Sequence, residues 1–121
     1  MALYTCGHII PDSDSVCSAI SLAYLLNKIG RAATPARQGE LNPETKFILD
    51  KFGFEAPVLK TSFAGDELFI TDYSDIAQAP QDLDKTTVVG IVDHHKLGDI
   101  TTSAPLECWI RPVGCTNTIV K

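Results

Sequence analysis

The chain has 121 residues, 45% of them hydrophobic and 21% charged, with 8 Gly and 7 Pro, which suits one soluble α/β domain and excludes intrinsic disorder, collagen-like repeats and coiled coil. A domain of this length buries about two thirds of its unfolded surface, so it can hold a core without disulfide or metal staples and leaves no room for a second domain. Ten Lys and Arg against fifteen Asp and Glu give a formal charge of -5, the wrong sign for a nucleic-acid backbone, so a phosphorylated ligand would need a divalent cation to reverse the local sign.

Ala2 to Cys6 is short, apolar and β-branched and breaks at Gly7, the pattern of a buried strand entering a loop. Val16, Ala19, Ile20, Ala23, Leu26 and Ile29 then recur at helical spacing up to a stop at Gly30, and Asp12, Ser13, Asp14 and Ser15 crowd the entrance of that helix as capping residues. Ala32 to Arg37 predicts a second strand and Gln38-Gly39-Glu40 a turn. Asn42-Pro43 predicts the start of a second helix, with Phe47, Ile48 and Phe52 as its apolar stripe and Gly53 as its end. Glu67 to Thr71 and Thr87 to Val92 are brief apolar runs that stop at Asp72 and Asp93, as interior strands do. The stretch between them, Tyr73 to Lys85, has room for a short helix. After Glu107 to Ile110, a last strand, Pro112 to Lys121 reads as a loop entering a helix without a C-terminal cap, the expected front portion of something longer. Strand and helix in alternation predict an α/β fold with an open, mostly parallel sheet and helices on both faces.

Cys6, Cys17, Cys108 and Cys115 form no C-x-x-C pair and no compact secreted framework, so reduced, buried thiols are expected. The N-terminus lacks the basic and apolar regions of a signal peptide, and no apolar run approaches the ~20 residues that cross a bilayer, so the expected compartment is the cytoplasm, with no membrane partner.

Three clusters of ligand-type side chains fall just past predicted strands: Gly7-His8-Ile9-Ile10-Pro11-Asp12-Ser13-Asp14-Ser15, Thr71-Asp72 and Asp93-His94-His95. In an open parallel sheet the ligand crevice lies at the carboxyl ends of the strands, where such clusters converge. They contain all 3 histidines of the chain. Taken singly, Asp12 and Asp14 are ordinary helix caps, Asp72 a turn residue, and His94 and His95 polar loop residues. Taken together, Asp12, Asp14, Asp72 and Asp93 would place carboxylates in one crevice, where like charges cannot all stay ionised without a cation. Oxygen and imidazole donors without thiolate suit Mn2+, Co2+ or Mg2+ better than a structural zinc site, and the mixed donor set suggests two ions able to activate a water for in-line attack on phosphorus.

The segment from Gly7 to Ala19, together with Asp93-His94-His95, resembles the DHH phosphoesterase superfamily, and within it the family II, manganese-dependent inorganic pyrophosphatases. Arg111-Pro112-Val113-Gly114-Cys115-Thr116 resembles the segment that follows the DHH motif there, and the likeness runs from residue 3 to the end. The resemblance implies that His8 and Asp12 bind one metal, Asp14 and His94 a second, and that Asp72 bridges them. It implies a supporting role for Asp93 behind the metals and contact of His95 with the substrate phosphates. The implied reaction is hydrolysis of pyrophosphate to two orthophosphates with two Mn2+ ions, Co2+ or Mg2+ being alternatives, in a homodimer. Tyr73-Ser74 departs from the His-Asn that many members carry after the bridging aspartate. A further metal-binding aspartate and the cationic clamp of a C-terminal domain lie beyond residue 121 in the family, so residues 1–121 are expected to be a DHH catalytic-core domain that binds metal but turns over weakly or not at all alone. The rival functions are another DHH phosphoesterase of the oligoribonuclease type and a non-enzymatic metal-binding or regulatory module.

Overall fold

The computed structural model describes residues 2–120. Six strands, β1 (Leu3–Cys6), β2 (Thr34–Arg37), β3 (Val58–Leu59), β4 (Glu67–Thr71), β5 (Thr87–Asp93) and β6 (Glu107–Ile110), form one sheet in the order β3-β2-β1-β4-β5-β6. Every pairing is parallel, with Tyr4 opposite Thr34 on one side and Leu68 on the other. Three helices, α1 (Ser13–Lys28), α2 (Pro43–Phe52) and α3 (Thr116–Val120), accompany them. No helix among the described residues is long and apolar enough to cross a membrane.

The period of two along each strand divides the core into two layers. Leu3, Phe69 and Val92 point to one face, where Leu22 and Leu26 of α1 meet them and Ile119 and Val120 of α3 pack alongside. Cys6, Leu68, Ile70, Val88 and Ile91 point to the other, against Phe63, Tyr73 and Ala79. Among the described residues the stretch between β4 and β5 forms two short 3-10 turns, Ile76–Gln78 and Leu83–Lys85, where one short helix was expected. The strand β3 was not foreseen, because two residues are too few to show a period. The register between β4 and β5 slips after Leu68, so that Phe69 sits opposite Gly90. A Cβ on Gly90 would lie 2.5–2.7 Å from the Phe69 ring, so glycine is needed there for close approach.

Helix α1 buries Val16, Ala19, Ala23 and Leu26 as its spacing predicts, with Leu22 added, while Ile29 ends up exposed beyond its C-terminus. The stripe expected on α2 is corrected: Thr45 and Leu49 are buried, and Phe47 and Phe52 face outward. Asn42 accepts from Thr45 N and Gly53 adopts φ 73, so the predicted caps of α2 are both made. All four cysteines are free, but only Cys6 is buried; Cys108 is exposed on the edge strand β6, which corrects the expectation of four buried thiols.

The chain leaves β1 toward β2 and leaves β4 toward β5, in opposite directions across the sheet. The strand order therefore reverses between β1 and β4, and a crevice opens at their carboxyl ends. His8 lies two residues past β1 and Asp72 one residue past β4.

Candidate metal centre

The loop after β1 is shaped by a close approach. A Cβ on Gly7 would fall 1.6 Å from Ser15 Oγ, so only glycine lets the chain pass α1 and allows His8 N to donate to that hydroxyl at 3.1 Å. Asp12 then caps α1, its Oδ1 accepting from Ser15 N at 2.8 Å. The same Oδ1 lies 3.6 Å from His8 Nε2. The capping function expected of Asp12 thus coexists with its facing the crevice.

Asp72, one residue past β4, is the one non-glycine residue with positive φ among those described, at 67°. Its N–H still bonds Val92 O at 2.9 Å, so the strand pairing continues while the side chain turns into the crevice. Only 2% exposed, it directs Oδ2 to His8 Nε2 at 3.3 Å and Oδ1 to His94 Nε2 at 3.1 Å. Thr116 Oγ1 donates to the same Oδ1 at 3.1 Å.

At the end of β5, Asp93 is fully buried, and its Oδ1 accepts from the N–H groups of His94 and His95 at 2.7 and 3.2 Å. That oxygen also meets His95 Nδ1 at 2.6 Å, while Oδ2 is buried with no hydrogen-bond partner. His94 Nδ1 lies 3.1 Å from Val113 O, a group that can only accept, so Nδ1 carries the hydrogen and Nε2 faces the carboxylates. The second of those carboxylates is Asp14, with Oδ2 at 3.4 Å from His94 Nε2. Asp14 is held by Thr116 N at 2.9 Å and by Asn117 N and Nδ2 at 3.2 and 3.1 Å, which ties the start of α3 to the start of α1.

Among the described residues, Asp12, Asp14, Asp72 and Asp93 make ion pairs with histidine alone and with no Lys or Arg. The electrostatics follow from this excess of negative charge. Burial pushes the Asp72 carboxyl upward, the hydrogen bond with His8 pulls it back, and the charges of Asp14 and Asp12 raise it further. Burial opposes charging of His8, yet the bond to Asp72 and the charges of Asp12 and Asp72 outweigh it and raise the imidazole above its ordinary value. Both directions describe a crevice that draws in positive charge, whether a proton or a metal ion.

The donor geometry suits the second. Ligand atoms about 2.1 Å from one ion at angles of 90–110° lie roughly 3.0–3.4 Å apart. His8 Nε2 with Asp72 Oδ2 and His94 Nε2 with Asp72 Oδ1 and Asp14 Oδ2 fall at 3.3, 3.1 and 3.4 Å, with Asp12 slightly further from His8 at 3.6 Å. Ligand atoms of His8, Asp12 and Asp72 all lie within 4.8 Å of one another, as do those of Asp72, Asp93, His94 and His95. The donors therefore fit hard or borderline dications, and the seven residues singled out in the sequence all reach one crevice.

Sequence reasoning gave Ser15 only a capping role and assigned none to Val113, Thr116 and Asn117, all of which orient the ligand-type residues without resembling ligands themselves. The one available signal was the segment Arg111 to Thr116, noticed only through its resemblance. Ser74, at one departure, accepts from Gly98 N at 2.8 Å and from Ile100 N at 3.2 Å, so it holds the loop after His95 against the end of β4.

Comparison with known proteins agrees with this geometry. A model of the DHH family, N-terminal domain, matches residues 2–121. A probable manganese-dependent inorganic pyrophosphatase of Archaeoglobus fulgidus is 47% identical over 131 aligned positions, covering 98% of this chain and 41% of its own length. The manganese-dependent inorganic pyrophosphatase of Methanocaldococcus jannaschii is 44% identical, covering 97% of this chain and 36% of its own. The crystal structure of a Methanococcus jannaschii protein assigned to the family II inorganic pyrophosphatases superposes with a TM-score of 0.91 at 43% identity, over 98% of this chain and 37% of that one. An exopolyphosphatase-related protein from Bacteroides fragilis shares the fold at a TM-score of 0.63 and 13% identity. The chain thus spans about two fifths of the length of the curated relatives it matches. With its crevice built from the matched residues, the chain belongs to the DHH family, as an N-terminal domain.

Proposed function

We propose that this chain is the metal-binding part of a manganese-dependent inorganic pyrophosphatase, which hydrolyses pyrophosphate to two orthophosphates. The observation that carries this is His94: with Nδ1 committed to Val113 O, Nε2 is the nitrogen aimed at Asp14 Oδ2 and Asp72 Oδ1 at 3.4 and 3.1 Å, one imidazole and two carboxylates placed to share a single cation. Relatives named as manganese-dependent pyrophosphatases, at 44–47% identity, favour Mn2+ as that cation, with Co2+ and Mg2+ also suited to the donors.

In this function His8, Asp12 and Asp72 would hold one ion and Asp14, His94 and Asp72 the other, since the two oxygens of Asp72 face different histidines. Bound dications would polarise phosphoryl oxygens and lower the pKa of a water at the site. Asp93 fixes the His95 ring through Nδ1, and the half-exposed His95 presents its other nitrogen to a phosphate. The absence of Lys and Arg from the ion pairs of the described crevice leaves the charge developing on a leaving phosphate without a cationic side chain, so residues 1–121 alone bind metal but turn over weakly. The same proposal carries a cytoplasmic homodimer without nucleic acid or membrane partners; the edge strand β6, with Trp109 half exposed, offers a sheet edge for pairing.

The test is titration of the 121-residue chain with Mn2+, followed by phosphate release from pyrophosphate and cleavage of a short oligonucleotide. Uptake of two ions per chain with weak pyrophosphate hydrolysis is expected. No uptake of Mn2+ or Co2+ overturns the metal site, preference for the oligonucleotide overturns the substrate, and full turnover overturns the account of the missing cations.

A further inference from the structure

Gln38 stands one residue past β2 and is buried, although glutamine is not a core residue type. Its Nε2 donates to Gly7 O at 2.8 Å and to Gln78 O at 3.3 Å. Gly7 immediately precedes His8, and Gln78 O also accepts from Ile9 N, on the other side of His8, at 3.2 Å. One side chain from β2 thus reaches across the end of β1 to the turn after β4.

The residues around that side chain leave the His8 loop little slack. A Cβ on Gly39 would meet Ile9 O at 2.6 Å, and Gly7 is pressed against Ser15. Arg37 fixes the backbone beside Gln38 by donating to Gly39 O at 2.8 Å and Pro57 O at 3.0 Å. Removal of the amide would leave Gly7 O without the donor that closes the ring of contacts, and would free His8 to swing away from Asp12 and Asp72. Two hydrogens on one nitrogen serve two carbonyls, which neither leucine nor glutamate could do.

We propose that Gln38 is a positioning residue for the His8 half of the centre: by clamping the Gly7 and Gln78 carbonyls it holds His8 Nε2 between Asp12 and Asp72. The assignment rests on the reading of His8 as a metal ligand, while the clamp itself is a property of the polypeptide. Its contribution is selective, because the other half of the centre is oriented by Val113, Thr116 and Asn117 on a different part of the chain.

The test compares the 121-residue chain with its Gln38→Leu and Gln38→Met variants by Mn2+ calorimetry and by amide hydrogen exchange without metal. His8→Ala and His94→Ala identify which binding event belongs to which half. Loss of an orienting partner typically weakens metal binding about 10–100-fold, so the event abolished by His8→Ala should weaken by at least tenfold and the one abolished by His94→Ala should change by less than about threefold. In both variants the His8 and Ile9 amides should exchange faster, and the amides of His94 and His95 should not. Equal weakening of both events, or unchanged exchange at His8 and Ile9, overturns the proposal. If the unsubstituted chain takes up no Mn2+, the proposed function falls, and the exchange measurement still decides the clamp. Gln38→Met retains the length of the side chain without its donor, so it keeps the test open where Gln38→Leu does not fold.

Discussion

Asp72→Asn separates what the crevice needs as a protein from what it needs as a metal centre. Asparagine has nearly the same volume, tolerates the φ of 67° and still accepts from Thr116 Oγ1, so the substitution removes charge with little change of shape. Without metal the carboxylate is a burden at neutral pH. Burial and the charges of Asp14 and Asp12 raise its folded pKa, so its stabilising contribution is present below the ordinary value near 3.8 and is lost as pH rises through the folded value. The metal-free variant should therefore melt at the same temperature as the unsubstituted chain at pH 7, or higher. With Mn2+ the sign reverses. A site filled at one hundred times its Kd adds about 2.7 kcal/mol; weakening it a hundredfold leaves about 0.4 kcal/mol. At roughly 3–5 °C per kcal/mol for a domain of this size, the Mn2+-dependent rise per site should fall from about 8–13 °C to about 1–2 °C. Both sites should suffer, because the two oxygens of Asp72 face different histidines. Calorimetric melting with and without Mn2+ reads both quantities in one experiment. A metal-free loss of several degrees combined with an intact rise would show that Asp72 is structural and would refute the bridging role.

Tyr73→Phe removes a buried hydroxyl that has no hydrogen bond of ordinary geometry, although it lies beside Gln38. An unsatisfied buried group costs about 1–3 kcal/mol, so the urea midpoint should rise, and a fall would mean that the hydroxyl is satisfied in solution. Gly90→Ala places a methyl group 2.5 Å from the Phe69 ring and should cost about 1–3 kcal/mol, part of which Phe69→Leu restores when the two are combined; additive losses would refute the contact. Burial pushes the Cys6 thiol up to about 12, so its contribution to stability is complete below the ordinary value of 9.0 and lost as pH rises from there toward 12. A thiol reagent at pH 8 should therefore modify Cys108 first and Cys6 only as fast as the chain unfolds, and equal rates at both would contradict the packing.

Of the seven crevice residues, His8, Asp72, Asp93, His94 and His95 were legible because each stands at or just past an apolar run, and such runs of four to seven residues mark strands whose carboxyl ends form the ligand edge of a parallel sheet; Asp12 and Asp14 were legible as the entrance of α1. What escaped reading acts through the backbone or through burial in tertiary context. Val113 contributes a carbonyl, which any residue possesses, and Thr116 and Gln38 are polar types common on surfaces. Phe47 and Phe52 look like core from composition alone. In the rotation of α2 that is observed, Thr45 is buried instead, with its Oγ1 3.1 Å from Ser13 Oγ, a contact 32 residues apart in sequence. The exposure of Cys108 likewise depends on β6 being an edge strand, which no local pattern announces.

For Asp12 and Asp14, capping and metal binding were competing explanations of the same residue types, and the caps seen in the structure leave lone pairs free for the proposed metal role. A carboxylate has two oxygens and about four acceptor directions, so accepting from a helix N–H does not exhaust it. Asp12 accepts from Ser15 N, and Asp14 accepts three N–H hydrogens from Thr116 and Asn117. Hydrogen bonds of this kind offset part of the cost of holding each carboxylate in a crevice without Lys or Arg in its ion pairs. They also fix direction, since a side chain tethered through one set of lone pairs can swing little with the others. Under the proposed function these bonds would aim the remaining lone pairs at a cation, and replacing Asp14 by alanine should loosen the start of α3 as well as weaken binding at His94. Asp14→Asn keeps one of the two acceptor oxygens: its amide oxygen can still accept from Asn117 N and Nδ2, while its NH2 would face the Thr116 N–H, so amide exchange in α3 should speed up less than in Asp14→Ala while Mn2+ affinity falls in both. Slow exchange in both variants would mean that Asp14 does not hold α3.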